Sequence, residues 1–273
     1  MGRLLFFDID GTLTAPGKGP SQAVEAAIRA ARRAGHKAIV STGRTAASVP
    51  EAVRAIGFDG GIYSAGGRVE AEGTVLMDQP MDPAMTRHIV EVLEREALHY
   101  ALECASGNYQ NGVPFCRPAW AGLNHGSSEL RRVLSQAWRT MGEYRGEPVY
   151  KISFQAREQE QFDRLAQALG SGIQVVSFEN LMADVPYIAG EASDRRVNKG
   201  LALERVCAYF GGRPADAVAF GDSMNDKEML LAAGTGIAMG NASGQVKALA
   251  DLTCESCEED GVAKALARLG LLG

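Results

Sequence analysis

Two aspartates follow a short apolar run near the start of the chain. The run Leu4 to Phe7 leads directly into Asp8, Ile9, Asp10 and Gly11. If the backbone stays extended, both carboxylates point to one face, because side chains two positions apart in a strand share a face. Neighbouring carboxylates repel unless they share a proton or a divalent cation. Their hard, oxygen-only ligand set favours Mg²⁺.

Three further polar groups stand where predicted strands end or helices begin. The segment Gly221 to Asp226 follows the apolar run Ala217 to Phe220, and Thr42 follows the run Lys37 to Ser41. Carboxyl ends of parallel strands meet at one edge of a sheet, so we expect these groups to converge on Asp8. The Thr42 hydroxyl and the nearby backbone N–H groups suit phosphate oxygens, and Lys199 offers a compact positive charge.

Each motif also has an ordinary explanation. An Asp-X-Asp sequence occurs in surface turns and in metal pairs of the glycosyltransferase type. Thr42-Gly43-Arg44 fits a capped helix start, Lys199 fits a solvated helix, and Asp222 to Asp226 fits a loop with a helix cap. Four independent matches at strand ends, in this order, are much harder to obtain by chance.

The surrounding patterns predict an α/β fold. They alternate strand and helix: strand Leu4 to Phe7, helix from Ser21 to Gly35, strand Lys37 to Ser41, helix Ala46 to Ile56 and strand Gly61 to Ser64. Such alternation predicts right-handed crossovers and a doubly wound, Rossmann-like parallel sheet. The rhythm returns with a helix at Lys199 to Phe210 and strands at Ala217 to Phe220 and Gly236 to Met239.

The middle of the chain has a different pattern, which predicts an inserted α+β domain. Here we expect helices at Pro83 to Ala97, Ser128 to Met141 and Gln159 to Leu169, between strands such as Tyr100 to Cys104 and Val149 to Phe154. The predicted domains are a discontinuous core, 1–81 and 191–273, and an insertion, 82–190. Thr42 and Lys199 are 157 positions apart, which leaves room for the insertion between them.

The motifs resemble those of the haloacid dehalogenase superfamily, and within it the Cof-type sugar phosphatases with a large α/β cap (C2, type IIB). The matching segments are Asp8 to Leu13, Thr42 to Arg44, Asn198 to Gly200, Gly221 to Asp226, Ala238 to Ala242 and Glu259 to Ala263. The resemblance covers the two flanking parts of the chain and is only generic in the middle. Ser64 to Gly67 departs from the Asn-Gly-Ala-like turn that is usual in relatives, which puts the contacts of that loop in doubt.

The resemblance implies a Mg²⁺-dependent phosphomonoester hydrolase that acts on a small phosphorylated metabolite. Asp8 would be the nucleophile and form an aspartyl phosphate, while Asp10 would act as general acid and base. The implied metal ligands are Asp8, the backbone oxygen of Asp10, Asp222 and, more indirectly, Asp226. The implied phosphate ligands are Thr42, Gly43, Lys199 and Asn225.

Specificity is expected to lie in the cap. Its candidate substrate contacts are polar or aromatic residues in loop-like stretches: His99, Tyr109, Asn111, Arg117, Trp120, Asn124 and His125. For each of them, ordinary cap packing or a solvated loop is the more common explanation. Hexose phosphates, sugar-acid phosphates, pyridoxal phosphate and flavin precursors all fit the generic site.

Other functions use the same motifs. A phosphomutase of the superfamily would return the phosphoryl group to its substrate, and a receiver-type phospho-acceptor also uses an Asp, a Thr and a Lys. Receiver domains, however, are near 120 residues and carry no inserted cap. A binding protein without catalysis is the third alternative, although all the expected ionisable groups are present.

The composition of the chain argues against nucleic acid and membranes as partners. A net charge of −5 with scattered Lys and Arg argues against nucleic acid, and no apolar stretch approaches the roughly 20 residues of a membrane span. The start of the chain lacks a signal-peptide pattern, so we expect a cytoplasmic protein with reduced thiols among its five cysteines. Cys254 and Cys257 have the spacing of a redox pair or of half a zinc site, but the chain has no second cysteine pair to complete four zinc ligands. The sequence does not indicate the oligomeric state.

Overall fold

A computed structural model describes residues 2–112, 138–178 and 188–273 of the chain. The chain forms two compact units. The core unit comprises Met1–Arg44, Val49–Asp78 and Asn198–Gly273, and the inserted unit comprises Thr45–Ser48 and Gln79–Val197. The sequence-based boundaries lie at 81/82 and 190/191, whereas the units divide at 78/79 and 197/198 and the segment Thr45–Ser48 belongs with the insertion.

The strands of the core unit form one eight-stranded sheet. In chain order, the strands of the described residues are β1 Leu4–Phe7, β2 Lys37–Ser41, β3 Gly60–Tyr63, β4 Arg68–Ala71, β5 Thr74–Asp78, β6 His99–Cys104, β7 Gly107–Gln110, β8 Trp138–Thr140, β9 Val149–Ala156, β10 Ile173–Phe178, β11 Ile188–Asp194, β12 Ala217–Gly221, β13 Thr235–Ala238 and β14 Leu252–Thr253. The core sheet has the order β14-β13-β12-β1-β2-β3-β4-β5. Neighbours from β14 to β3 are parallel, and β4 and β5 add an antiparallel edge.

Helices cover both faces of the core sheet. The α-helices of the described residues are α1 Gln22–Arg33, α2 Glu51–Arg54, α3 Pro83–Arg95, α4 Gln159–Leu169, α5 Lys199–Tyr209, α6 Lys227–Ala232, α7 Gly244–Leu249 and α8 Gly261–Arg268. Leu5 and Phe7 pack in a core with α1 and α8, while Leu4 and Phe6 pack in a second core with α5 and α6. A strand buried on both faces is the reason that β1 is continuously apolar. The predicted doubly wound α/β core is confirmed.

The helix predicted at Ala46 to Ile56 is wrong in its extent. The structure has a 3₁₀ turn at Ala46–Ser48 and then the short helix α2, Glu51–Arg54. Pro50 lies between them with φ −60° and ψ 143°, just before α2. Proline has no N–H to donate and disfavours helical geometry in the residue before it, so it divides the predicted helix in two.

The inserted unit contains a six-stranded sheet with the order β10-β11-β9-β6-β7-β8. Its pairs are antiparallel except β7 with β8, which are parallel. One face carries apolar side chains such as Leu102, Ile152 and Phe154, which form a single core with α3 and α4. This is the predicted α+β arrangement.

The helix predicted at Ser128 to Met141 falls largely outside the described residues. Where the structure does describe it, the prediction is wrong, because Trp138–Thr140 is strand β8 and Met141–Glu143 is a 3₁₀ turn. Trp138 pairs with Asn108 and Thr140 with Gln110 of β7. Aromatic and β-branched residues favour strands when a partner strand is available.

Among the described residues, no helix combines the length and the apolar character that a membrane span requires.

Candidate active site

Three adjacent parallel strands place the motif residues at one edge of the core sheet. The strands β12, β1 and β2 are neighbours, with Phe7 paired to Phe220 and to Val40. Asp8 follows β1 and donates its backbone N–H to the Phe220 oxygen at 3.0 Å. Thr42 follows β2, and Asp222 follows β12. The parallel register therefore accounts for the convergence of residues that are far apart in sequence.

Three carboxylates form a compact acidic cluster at this edge. One oxygen each of Asp8, Asp222 and Asp226 can be chosen so that all lie within 4.8 Å of one another. Asp8 and Asp226 are buried, with exposed fractions of 4% and 0%. Hard carboxylate oxygens in such a group suit a small divalent cation, and Mg²⁺ commonly binds through one or two carboxylates plus substrate phosphate.

Lys199 provides positive charge inside the acidic cluster. It is the first residue of α5, whose start is capped by Asn198 accepting from the Leu201 N–H. Its side chain is fully buried and donates to Asp8 Oδ1 at 2.7 Å and to Asp226 Oδ1 at 2.6 Å. Three carboxylates against one ammonium leave a net charge of two negatives when all are ionised. A divalent cation is the natural complement of that charge.

The acidic cluster shifts the acidities of its members. Burial, together with the neighbouring Asp226 carboxylate, raises the pKa of Asp8 to about 7 although Lys199 acts in the opposite direction. Burial and the charge of Asp8 raise the pKa of Asp222 to about 9. Burial alone would lower the pKa of Lys199, but Asp226 and Asp8 hold it above its ordinary value. The raised pKa values of Asp8 and Asp222 have the same physical causes, burial and repulsion between neighbouring carboxylates, both of which a nearby positive charge opposes.

Asp10 lies beside the acidic cluster and is paired with Arg44. The guanidinium donates Nε to Asp10 Oδ2 and Nη2 to Oδ1, both at 2.7 Å. Asp10 is close enough for its charge to raise the pKa of Asp8, yet its side chain is 45% exposed. A bidentate pair fixes the carboxylate plane as well as its position.

Glycines make room for the acidic cluster. At Gly11, which has φ +88°, an added Cβ would lie 2.3 Å from Asp222 Oδ2. At Gly221 it would lie 2.6 Å from the Cβ of Asp226. Both distances are far below normal contact, so the carboxylates can approach the backbone only where no side chain is present.

The four predicted phosphate ligands lie in the core unit with different surroundings. Thr42 is 1% exposed, and its Oγ1 accepts from the Arg44 N–H at 3.1 Å. Gly43 is partly exposed between them. Asn225 Oδ1 accepts from Ser223 Oγ at 2.8 Å and lies 3.4 Å from Lys199 Nζ. Asn225 and Lys199 are therefore neighbours in space, 26 positions apart in sequence.

Two residues that sequence reasoning missed also support the site. Thr12 Oγ1 donates to Asp222 Oδ1 at 3.2 Å, and Asn241 Nδ2 donates to the Gly11 oxygen at 2.9 Å. Both belong to segments that the family resemblance included, Asp8 to Leu13 and Ala238 to Ala242. Their roles depend on tertiary contacts across more than 200 positions, which spacing alone does not reveal.

The loop with the unusual sequence, Ser64 to Gly67, supports the site through its backbone. Ser64 donates its N–H to the Arg44 oxygen at 2.8 Å, and Ala65 donates to the Thr42 oxygen at 3.0 Å. Ser64 and Ala65 have φ values of +51° and +55°. A Cβ at Gly66 would lie 2.5 Å from the Asn198 oxygen at the start of α5. The loop therefore contacts the Thr42 to Arg44 segment through its backbone and approaches the start of α5 closely.

Most of the candidate cap contacts have structural roles or lie outside the described residues. Tyr109 is fully buried in the core of the inserted unit, and Asn111 binds the backbone of Tyr100 and Leu98. His99 is exposed at the start of β6. Arg117, Trp120, Asn124 and His125 fall outside the residues that the structure describes.

The Cys254 and Cys257 pair gives no sign of a metal centre. Cys254 is buried with its sulfur 3.5 Å from that of Met239, and Cys257 is partly exposed. Across residues 2–112, 138–178 and 188–273, the group of His, Cys, Asp and Glu side chains placed to hold an ion is the acidic cluster.

Comparison with known proteins agrees with the geometry. Residues 5–266 match the family model described as haloacid dehalogenase-like hydrolase. Phosphatase YwpJ of Bacillus subtilis is 31% identical over 98% of this chain and 99% of its own length. HMP-PP phosphatase of Cronobacter sakazakii is 28% identical over 91% of this chain and 88% of its own length.

Solved structures of this family have the same fold as this chain. A haloacid dehalogenase-like hydrolase from Bacillus subtilis superposes with a TM-score of 0.82 at 26% identity, covering 98% of this chain and 99% of the other. A subclass IIB sugar phosphatase has a TM-score of 0.81 at 21% identity, covering 98% and 99%, which shows the shared fold. The chain therefore belongs to the haloacid dehalogenase-like hydrolase family, as a phosphatase of its Cof-type branch.

Proposed function

We propose that this chain is a Mg²⁺-dependent phosphomonoester hydrolase that acts on a small phosphorylated metabolite through an aspartyl phosphate on Asp8. The observation that carries the proposal is the buried ion-pair network in which Lys199 binds Asp8 and Asp226 at 2.7 Å and 2.6 Å. A buried lysine between carboxylates is often no more stabilising than apolar packing, and such groups cluster at sites whose chemistry needs the charge.

Asp8 is the proposed nucleophile. Its Oδ2 atom attacks phosphorus while Oδ1 stays bound by Lys199, and the bond from phosphorus to the leaving oxygen breaks. Asp10 gives its proton to that oxygen. Asp10 then takes a proton from water as the water attacks phosphorus, and the bond between phosphorus and Asp8 breaks. Inorganic phosphate and a free Asp8 carboxylate result.

The residues around Asp8 fit a bound cation and a phosphoryl group. Asp8, Asp222, Asp226 and the backbone oxygen of Asp10 are the proposed ligands of Mg²⁺, which supplies positive charge against the oxygens of the transferring group when it is bound. The proposed ligands of the phosphoryl group are Thr42, Gly43, Lys199 and Asn225.

Arg44 is the proposed positioning residue for Asp10. The two bonds of 2.7 Å prevent rotation of the carboxylate while nearly half of its surface stays open to substrate and water. This arrangement supports the proposal that Asp10 transfers the protons.

Relatives suggest the substrate class. They include an HMP-PP phosphatase and a pyridoxal phosphate phosphatase of Escherichia coli, the latter 26% identical over 96% of this chain. We propose that the inserted unit supplies the specificity for a sugar phosphate or a cofactor precursor, as a cap does.

The test is release of inorganic phosphate from a panel of phosphorylated sugars and cofactors, with Mg²⁺ or with EDTA. Wild-type protein is expected to release phosphate only with Mg²⁺, and Asp8→Asn only at background rate. Asp163→Asn, an exposed change on α4, is the matched control and should keep wild-type activity. Normal turnover by Asp8→Asn, or interconversion of isomers without phosphate release, would contradict the proposal.

A further inference from the structure

The loop that follows β1, residues 8–14, carries both proposed catalytic carboxylates and is here called the Asp8 loop. Hydrogen bonds within the loop hold part of its backbone. Thr14 donates its N–H to the Ile9 oxygen at 2.9 Å, and Gly11 donates its N–H to the Thr14 oxygen at 2.8 Å. Gly11 is buried and has φ +88°. Because glycine has no Cβ to restrict its dihedral angles, bonds on both of its sides are needed to keep it in one conformation.

Asn241 holds the other side of Gly11. Its Nδ2 donates to the Gly11 oxygen at 2.9 Å, and its Oδ1 accepts from the Cys257 N–H at 3.0 Å. These two bonds fix the orientation of the amide, because a backbone N–H can only donate and a backbone carbonyl can only accept. Asn241 thereby connects the Asp8 loop to the 3₁₀ turn Cys257–Glu259, although it lies 230 positions from Gly11 and 16 from Cys257 in sequence.

The backbone that carries Asn241 is itself bonded on both sides. It continues from β13, where Met239 donates its N–H to the Gly221 oxygen at 3.0 Å and Gly240 donates its N–H to the Glu255 oxygen at 3.1 Å. Asn241 therefore extends from a backbone that is fixed independently of the Asp8 loop. A side chain supported in this way can set the position of a neighbouring loop.

Gly11 is the point of the Asp8 loop where a change of backbone conformation would matter most. It directly follows Asp10, and a Cβ added to it would lie 2.3 Å from Asp222 Oδ2. Rotation about its backbone bonds would therefore shift the Asp10 backbone oxygen relative to the Asp222 carboxylate. Displacements of about 1 Å in a catalytic group can lower the rate about a hundredfold.

We propose that Asn241 is a positioning residue for the phosphatase reaction. By holding the Gly11 oxygen, it keeps the backbone oxygen and the carboxylate of Asp10 in the geometry that Mg²⁺ binding and proton transfer need. The inference rests on the proposed function, which assigns those roles to Asp10. Asn241 is an exposed residue, and replacing an exposed side chain that has no such role usually changes little beyond stability.

The first test measures Mg²⁺ binding without substrate, by isothermal titration calorimetry. Asn241→Leu keeps the approximate size of the side chain and removes both hydrogen bonds, so the Kd for Mg²⁺ should rise about tenfold. Ser243→Ala is the matched control, because Ser243 caps the neighbouring helix α7 by accepting from the Val246 N–H and should leave the Kd unchanged. An unchanged Kd in folded Asn241→Leu overturns the inference.

The second test compares kcat/KM for two leaving groups. One substrate is p-nitrophenyl phosphate, whose leaving group needs no acid, and the other is the alkyl ester that the wild type uses best in the panel above. Asn241→Leu should lower the ratio of the alkyl ester to p-nitrophenyl phosphate about tenfold. A merely structural Asn241 predicts equal losses for both substrates, and an unchanged ratio contradicts the assignment.

Asn241→Asp decides the question if Asn241→Leu does not fold. It keeps the acceptor for the Cys257 N–H and removes the donor to the Gly11 oxygen, so it should lower the same ratio about tenfold. A wild-type ratio in Asn241→Asp would mean that the bond to Gly11 has no effect on Asp10. If the wild-type protein releases phosphate from no ester of the panel, the proposed function itself is refuted, whereas wild-type turnover with unaffected Asn241 variants refutes only the present inference.

Discussion

Replacing Lys199 with methionine tests the buried ion-pair network of the active site. The change keeps a side chain of similar length and removes the ammonium that binds Asp8 and Asp226. Lys199 and Asp226 are both fully buried, so water does not replace the lost partner. Three carboxylates then lie within 4.8 Å of one another without the lysine charge.

The expected loss is about 3 to 5 kcal/mol in the free energy of unfolding, the usual cost of leaving a buried charge without its partner. The folded pKa of Lys199 lies above its ordinary 10.5, so its contribution is fully present below pH 10.5 and is lost only as the pH rises through the folded value. At pH 7 the whole effect should therefore be visible. Asp8, with a pKa of about 7, can take up a proton, which favours the lower end of the range.

The assay is urea unfolding at pH 7 in EDTA, followed by circular dichroism, for wild type, Lys199→Met, Asp226→Asn and the double variant. Because the two residues are in direct contact, the double variant should lose at least about 1.5 kcal/mol less than the sum of the single losses. Lys264→Met, an exposed lysine on α8, is the control and should change stability by less than about 0.5 kcal/mol. Mg²⁺ should restore part of the stability of Lys199→Met.

Two results would refute this reasoning. One is a Lys199→Met protein as stable as Lys264→Met in EDTA. The other is strict additivity in the double-variant cycle, which would mean that the lysine and Asp226 do not interact in the folded protein.

Three further predictions concern the surroundings of the site. Gly11→Ala should lower activity and Mg²⁺ affinity at least about tenfold, because the added Cβ meets the carboxylate of Asp222, a proposed Mg²⁺ ligand, at 2.3 Å. Gly73→Ala, at φ +80° with open space around it, is the control for backbone strain alone, and equal effects of the two changes would contradict the steric argument. Asp59→Asn should lower the free energy of unfolding by about 1 to 3 kcal/mol at pH 7, because hydrogen bonds from Arg32 lower the pKa of Asp59 against the opposing effect of burial. The stabilities of variant and wild type, measured by urea unfolding, should converge as the pH falls below about 4, and a constant difference would contradict this linkage. Arg44→Lys loses the bidentate contact with Asp10. It should reduce turnover of alkyl phosphates about tenfold more than turnover of p-nitrophenyl phosphate, because the leaving group of the latter needs no acid. Equal reductions for the two kinds of substrate would argue against orientation of Asp10 by Arg44.

Much of the core unit is predictable from the sequence because local pattern and tertiary packing agree there. The continuously apolar β1 can be satisfied only by burial on both faces, and the parallel register then brings Asp222 to Asp8. The prediction of one helix from Ala46 to Ile56 is wrong because apolar periodicity does not report the break that Pro50 causes in the backbone.

The inserted unit is less predictable because its polar residues depend on strand pairing. Glu103 and Lys151 are 48 positions apart and read as ordinary solvated charges until the register of β6 and β9 places them opposite each other. Tyr109, by contrast, has a polar tip that suggests a ligand contact, yet its ring completes the apolar core. Charge and aromaticity alone do not say which face of a strand a residue occupies.

The measurement that tests the central claim most directly is the pre-steady-state reaction of Asp10→Asn with p-nitrophenyl phosphate and Mg²⁺. This leaving group needs no acid, so phosphoryl transfer to Asp8 should remain fast while hydrolysis of the intermediate, which lacks its base, becomes slow. The account predicts a burst of p-nitrophenolate equal to the enzyme concentration, with phosphate recovered on the peptide that contains Asp8. Linear release without a burst, from a variant that still turns over and carries no phosphate on that peptide, would contradict it.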